Sequence, residues 1–158
     1  MEDLDQYADS YSNSPYKDEN VGMLDRYIAY ILEAMEGFEK IDALSLGIGY
    51  RVGSETIVKL IGPRLKSYTL VEGSEAIISR FEKEWCLETR PTVVHSYFEN
   101  FQPDRTYDFI EMGFVLEHVD DPAAILARYR EFLSPGGVIA IAVPNARSLH
   151  RLVGHEAG

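Results

Sequence analysis

Strands and helices alternate along this chain, and that alternation restricts it to one class of fold. Short apolar segments fall at 42–46 (DALSL), 67–71 (SYTLV), 92–96 (TVVHS), 107–112 (YDFIEM) and 138–143 (VIAIAV). Helical spacing of apolar residues separates several of them. Leu24, Tyr27, Ile28, Ile31, Leu32 and Met35 recur on one helix face ahead of the first strand, with Gly37 as the stop. Ser54 to Ile61 carries a second helix. Ser74 caps a third, with Ile77, Ile78 and Phe81 on one side. In the segment 120–133, Asp121 is an N-cap, Pro122 takes the first helical position, and Ile125, Leu126, Tyr129 and Phe132 form the buried face. The sequence SPGG then breaks the helix. The unbroken apolar run VIAIAV is what a central parallel strand requires, because such a strand is buried on both faces. The expected fold is α/β: a Rossmann-like, doubly wound, mainly parallel sheet of at least five strands with helices on both faces.

In such a sheet, ligands bind at the carboxyl ends of the strands, where strand order reverses. The stretch LSLGIGYRVGS, 44–54, supplies the first turn there. Gly47 and Gly49 lack Cβ atoms, so the backbone can turn tightly and approach a ligand. The following helix points its N-terminus at the same place. Glu72 ends the second strand, 23 positions after Gly49. There its carboxylate can accept hydrogen bonds from both ribose hydroxyls of a nucleotide. The bland alternative makes Glu72 a solvated turn residue and the glycines mere shapers of a connection. Two cofactors share this layout. A nicotinamide dinucleotide favours G-x-G-x-x-G, and here Val52 stands at the third position, with Gly53 one residue later. S-adenosylmethionine has no pyrophosphate and asks less of the loop. The loop alone leaves both open.

The net charge of −11 disfavours nucleic-acid partners, since no basic patch is segregated from the acids. The single cysteine, Cys86, forms neither an intrachain disulfide nor a metal site, and a reduced, cytoplasmic setting is the default. No apolar run approaches the roughly 20 residues of a membrane span, and the acidic N-terminal segment has no apolar core of a signal peptide.

Five motifs in order, LSLGIG, the acid at Glu72, TYDFIEM, MGFVLEHVDDP and FLSPGGVIAIAVPN, resemble class I S-adenosylmethionine-dependent methyltransferases. The small-molecule branch is the nearest in look, including the ubiquinone-biosynthesis O-methyltransferase type. The resemblance covers about residues 40–150 and implies S-adenosylmethionine as cofactor and S-adenosylhomocysteine as product. Carried over residue by residue, it puts Leu46, Gly47, Ile48 and Gly49 against the methionine part. Glu72 goes to the ribose hydroxyls, with Gly73 and Ser74 beside the adenine. Ser96, Tyr97 and Phe98 flank the adenine. Met112, Gly113 and Phe114 line the sulfonium region. Glu117 and His118 are the candidates for contact with the acceptor, His118 as a general base near neutral pH; the bland alternative leaves them in the turn to the next helix. No metal is implied. The resemblance divides the chain into an N-terminal arm and helix, 1–38, and a cofactor-binding domain, 39–158. The arm carries Tyr7, Tyr11, Tyr16 and Lys17 and is either a lid over the cofactor or a solvated terminus.

The chain departs from the family in three places. Ser45 stands where an acid is common, and Arg51 where a third glycine is common. After the fifth strand the family usually continues with two more, whereas this chain runs only to LHRLVGHEAG. A five-stranded sheet leaves an exposed edge, so either further sequence or a partner copy, in a homo-oligomer, is expected to cover it. The expected function is methyl transfer to an oxygen or nitrogen of a small-molecule acceptor. The alternatives are a scaffold that keeps the fold without turnover and, third, an NAD(P)-dependent oxidoreductase.

Overall fold

A computed structural model of the chain describes residues 17–48 and 51–145, apart from the side chains of 17–21, 51 and 52. The arm tyrosines Tyr7, Tyr11 and Tyr16, the side chains of Lys17 and Arg51, Gly49, and the segment from 146 onward lie outside the described residues. In chain order the elements are α1 (Lys17–Ala34), β1 (Ile41–Leu46), α2 (Arg51–Ile61), β2 (Leu65–Glu72), α3 (Glu75–Glu84), β3 (Thr92–His95), β4 (Tyr107–Gly113), α4 (Pro122–Arg130) and β5 (Leu133–Ala142). Two single 3₁₀ turns, Gly62–Arg64 and Leu116–His118, complete them.

The five strands form one sheet in the order β3-β2-β1-β4-β5, all neighbours parallel. The order reverses between β1 and β4. β1 is buried over its whole length, because helices pack on both of its faces. One face carries Ile41, Ala43, Tyr68, Leu70 and Phe109 against apolar residues of α1, α2 and α3. The other carries Leu44, Leu46, Val71, Ile110 and Met112 against Ile125 and Tyr129 of α4. Helix α1 belongs to the first core, with Ile31, and Met35 just past its end, fully buried. The caps form as their residues require: Ser74 Oγ accepts from Ile77 N, and Asp121 Oδ1 from Ala124 N. None of the described helices is long and apolar enough to cross a membrane.

The structure corrects the reading of the fifth strand. β5 begins at Leu133, and SPGG lies inside it. Tyr107 pairs with Leu133 and Phe109 with Val138, so β4 advances two residues while β5 advances five. The extra residues form a bulge. Gly136 takes φ +82°, and a Cβ at Gly137 would lie 3.0 Å from the Ser134 and Tyr107 carbonyl oxygens. Nor is β5 central. Within the described sheet it pairs with β4 alone, and Ile141 and Val143 are 45% and 53% exposed.

Candidate active site

The carboxyl ends of β1, β2 and β4 open into a cavity of about 380 Å³ on the side covered by α1. That size falls within the range of small-ligand clefts, roughly 300–1,000 Å³. Its position, beside the reversal of strand order, is where an open α/β sheet holds a ligand.

The first turn is built on Gly47. Its φ is +75°, and a Cβ there would come within 2.8 Å of Val115 Cγ1. Both facts select glycine. Gly47 N donates to Val71 O at 2.8 Å, which pins the turn to β2. The next amide, Ile48 N, donates to Glu72 Oε2 at 3.1 Å, and Ser74 N donates to Glu72 Oε1 at 2.8 Å. Glu72 is only 7% exposed and lines the cavity. Its carboxylate therefore ties the turn after β1 to the turn after β2. Each oxygen keeps further acceptor capacity. The turn after β3 is tied in as well: Ser96 N donates to Glu72 O at 2.9 Å, and His95 Nε2 lies 3.0 Å from Gly73 O.

From β4 come Glu111, Gly113 and Phe114. Phe114 holds φ +58°, an unusual conformation for a residue with a Cβ. Its amide donates to Ala142 O at 2.8 Å, and its ring meets Tyr27 edge-on at 5.8 Å between centroids. Tyr27, from α1, donates its hydroxyl to Glu111 Oε1 at 2.5 Å. Ser45, the register neighbour of Glu111, lies 3.1 Å by its Oγ from Tyr68 Oη. Burial pushes the Glu111 carboxyl above the usual carboxylate range, against hydrogen bonds from Tyr27, Ser45 and the Gly113 backbone. Burial, and then Glu111, also push the Tyr27 hydroxyl far up, and the Tyr68 hydroxyl to about 12.

Of the residues expected at the site, Gly47, Ile48, Glu72, Gly73, Tyr97, Phe98, Gly113, Phe114, Glu117 and His118 line this cavity. Glu117 and His118 are exposed, on the 3₁₀ turn after β4. Leu46 and Met112 are not among the lining residues; both are core side chains on the opposite face of the sheet. Ser74 is buried behind the wall as the cap of α3. Ser96 lines a separate groove near Thr92 and Tyr107, and its hydroxyl donates to Tyr97 O at 2.9 Å. Gly49 lies outside the described residues. The sequence reading missed Tyr27, Tyr68 and Glu111 as site residues. Periodicity marked Tyr27 only as a core position, and a carboxylate in YDFIEM carries no sign of which way it faces.

An open parallel α/β domain with a cleft at its strand reversal, bracketed by a glycine turn and an acid at the end of β2, belongs to the nucleotide-binding class of folds. Within that class the chain belongs to the methyltransferase domain family, whose model, described as "Methyltransferase domain", matches residues 23–157. No curated protein matches the chain. Solved structures share the fold. One is the plantazolicin methyltransferase BpumL in complex with a triazolic desmethylPZN analog and SAH, at TM-score 0.67 and 21% identity. The match covers 91% of this chain and 59% of that one. A second is the N-methyltransferase NodS from Bradyrhizobium japonicum WM9 with S-adenosyl-L-homocysteine, at TM-score 0.58 and 18% identity, covering 82% and 63%. A third is a DhpI–SAM–HEP complex, at TM-score 0.63 and 21% identity, covering 98% and 69%. The chain thus spans about three-fifths of the length of BpumL and NodS.

Proposed function

We propose that this chain is an S-adenosylmethionine-dependent methyltransferase that methylates an oxygen or nitrogen of a small-molecule acceptor. The observation that carries the reading is Glu72, whose carboxylate joins the turns after β1 and β2 and still faces the cavity. The donor set fits the cofactor. A carboxylate with spare lone pairs suits a ribose diol, and the Tyr97 and Phe98 rings suit an adenine. The SAH or SAM bound in BpumL, NodS and DhpI supports the same choice. When bound, the cofactor supplies a methyl group already activated on a sulfonium.

The residues of this chain then have three tasks. Glu72 orients the nucleoside. Gly113 and Phe114 shape the wall beside the reacting end, and alignment by such walls accounts for much of the rate of an in-line displacement. Glu117 and His118, on the turn after β4, receive the proton that the acceptor loses. Among the described lining residues the ionisable acids are carboxylates, joined by His118, with no Lys or Arg. That balance favours an amine acceptor over an anionic one.

The test incubates the full chain with methyl-labelled S-adenosylmethionine and a panel of small amines and phenols. The expected result is label on an acceptor and one S-adenosylhomocysteine per transfer. Cofactor binding without S-adenosylhomocysteine formation across the panel would favour a scaffold instead. With a productive acceptor, His118→Ala is expected to lower kcat by roughly 100-fold, as loss of a general base does. An unchanged kcat would remove His118 from that role.

A further inference from the structure

Glu111 is a half-buried carboxylate in the cavity wall whose bonding partners are all neutral. Its oxygens take hydrogen bonds from the Tyr27 hydroxyl, the Ser45 hydroxyl and the Gly113 backbone. No Lys or Arg is among the described lining residues. An ionised carboxylate in such a place needs a cation from somewhere, since burying an unpaired charge is costly. The site is also built around it. A Cβ at Gly113 would overlap the Glu111 carboxylate and the Tyr27 ring, so the missing side chain at 113 is what lets the pair meet.

The sheet fixes where that charge stands. Leu46 pairs with Val71 and Ser45 with Glu111, so Glu72 and Glu111 flank β1 from opposite sides near its carboxyl end. Both line the same cavity. Strands β2 and β4 are two strand spacings apart, about 10 Å. A nucleoside with its diol at Glu72 and an amino-acid arm reaching across β1 brings the end of that arm toward Glu111.

We infer that Glu111, held in place by the Tyr27 hydroxyl, binds the α-ammonium group of the cofactor's amino-acid arm. An ammonium has three N–H donors for a carboxylate, and a sulfonium has none. Glu111 occupies the strand next to Ser45, so β4 supplies a carboxylate at a level of the sheet where β1 has only a hydroxyl. Tyr27 acts as a positioning residue from α1, and it couples that helix to the presence of the ligand. The inference rests on S-adenosylmethionine being the cofactor and is independent of the acceptor.

Calorimetry on the full chain with two neutral-sulfur probes tests it. S-adenosylhomocysteine keeps the ammonium, and 5′-methylthioadenosine keeps the nucleoside but has no amino acid. Glu111→Gln is expected to weaken S-adenosylhomocysteine roughly 10- to 100-fold, the worth of a hydrogen bond to a charged group, while 5′-methylthioadenosine is unchanged. Tyr27→Phe follows the same pattern with a smaller loss. Unchanged affinity for S-adenosylhomocysteine in Glu111→Gln, or an equal loss for both probes, overturns the inference and leaves the cofactor reading standing. A loss seen with S-adenosylmethionine alone also overturns it, because it would assign Glu111 to the sulfonium. Wild-type chain that binds neither probe overturns the cofactor reading itself. A second measurement avoids the variants: N-acetyl-S-adenosylhomocysteine, with its amine uncharged, is expected to bind wild type about 10- to 100-fold more weakly than the parent. Equal affinity contradicts the inference.

Discussion

Gly47 and Glu72 were legible in the sequence because each sits at the end of a strand, in a pattern whose chemistry is local. Gly47 meets two demands at once, a φ of +75° and close contact with Val115. Gly47→Ala is therefore expected to destabilise the fold by about 1–3 kcal/mol, the usual cost of a strained conformation. Urea denaturation of the apo chain measures this. Glu111 was not legible, because its partner Tyr27 lies 84 positions away and only the fold brings them together. It also gives the apo chain a pH dependence. Its folded pKa is raised by burial, so the stability linked to it is complete below the ordinary glutamate value of about 4.3 and falls as pH rises through the folded value. The facing hydroxyls of Tyr27 and Tyr68 are themselves pushed up and stay protonated there. Denaturation midpoints of wild type and Glu111→Gln, compared from acid to neutral pH, are expected to diverge in favour of the variant as pH rises. Parallel curves would show that Glu111 does not carry the effect.

Among the elements, the helices were the most legible. The caps at Ser74 and Asp121 located the starts of α3 and α4, while the 3.6-residue period found α1 and α2 but not their first turns. The use of α1 as a cavity wall was not legible, since periodicity distinguishes a buried face from an exposed one without saying what the buried face meets. β5 differs from its expected span at its start. SPGG signals a break, yet it forms a bulge inside the strand. Turn residues look alike in a loop and in a bulge; only the partner strand separates the two. Helix α4 supports the site from the far face. Tyr129 is fully buried, and its hydroxyl donates to Phe98 O at 2.9 Å, fixing the turn that carries Tyr97 and Phe98. Tyr129→Phe is expected to cost about 1 kcal/mol of stability, the net worth of one such bond, and to weaken nucleoside binding. Thermal denaturation and calorimetry read the two effects separately. A loss of stability with unchanged binding would limit Tyr129 to the core.

At the scale of the whole molecule, the alternation of strands and helices was enough to give the parallel sheet, and the sheet fixes the cavity beside its reversal of order. Glu72 and Glu111 then stand on either side of β1, one at the nucleoside end and one at the amino-acid end of the proposed cofactor. The central claim is that this cavity holds S-adenosylmethionine through Glu72. Calorimetric titration of the full chain, wild type and Glu72→Ala, with S-adenosylhomocysteine and with NADH tests it most directly. The account predicts that wild type binds S-adenosylhomocysteine at one site and does not bind NADH. It further predicts that Glu72→Ala loses at least about 10-fold in affinity, since a buried hydrogen-bonded carboxylate is removed. Binding of NADH without S-adenosylhomocysteine, or full affinity in Glu72→Ala, would contradict it.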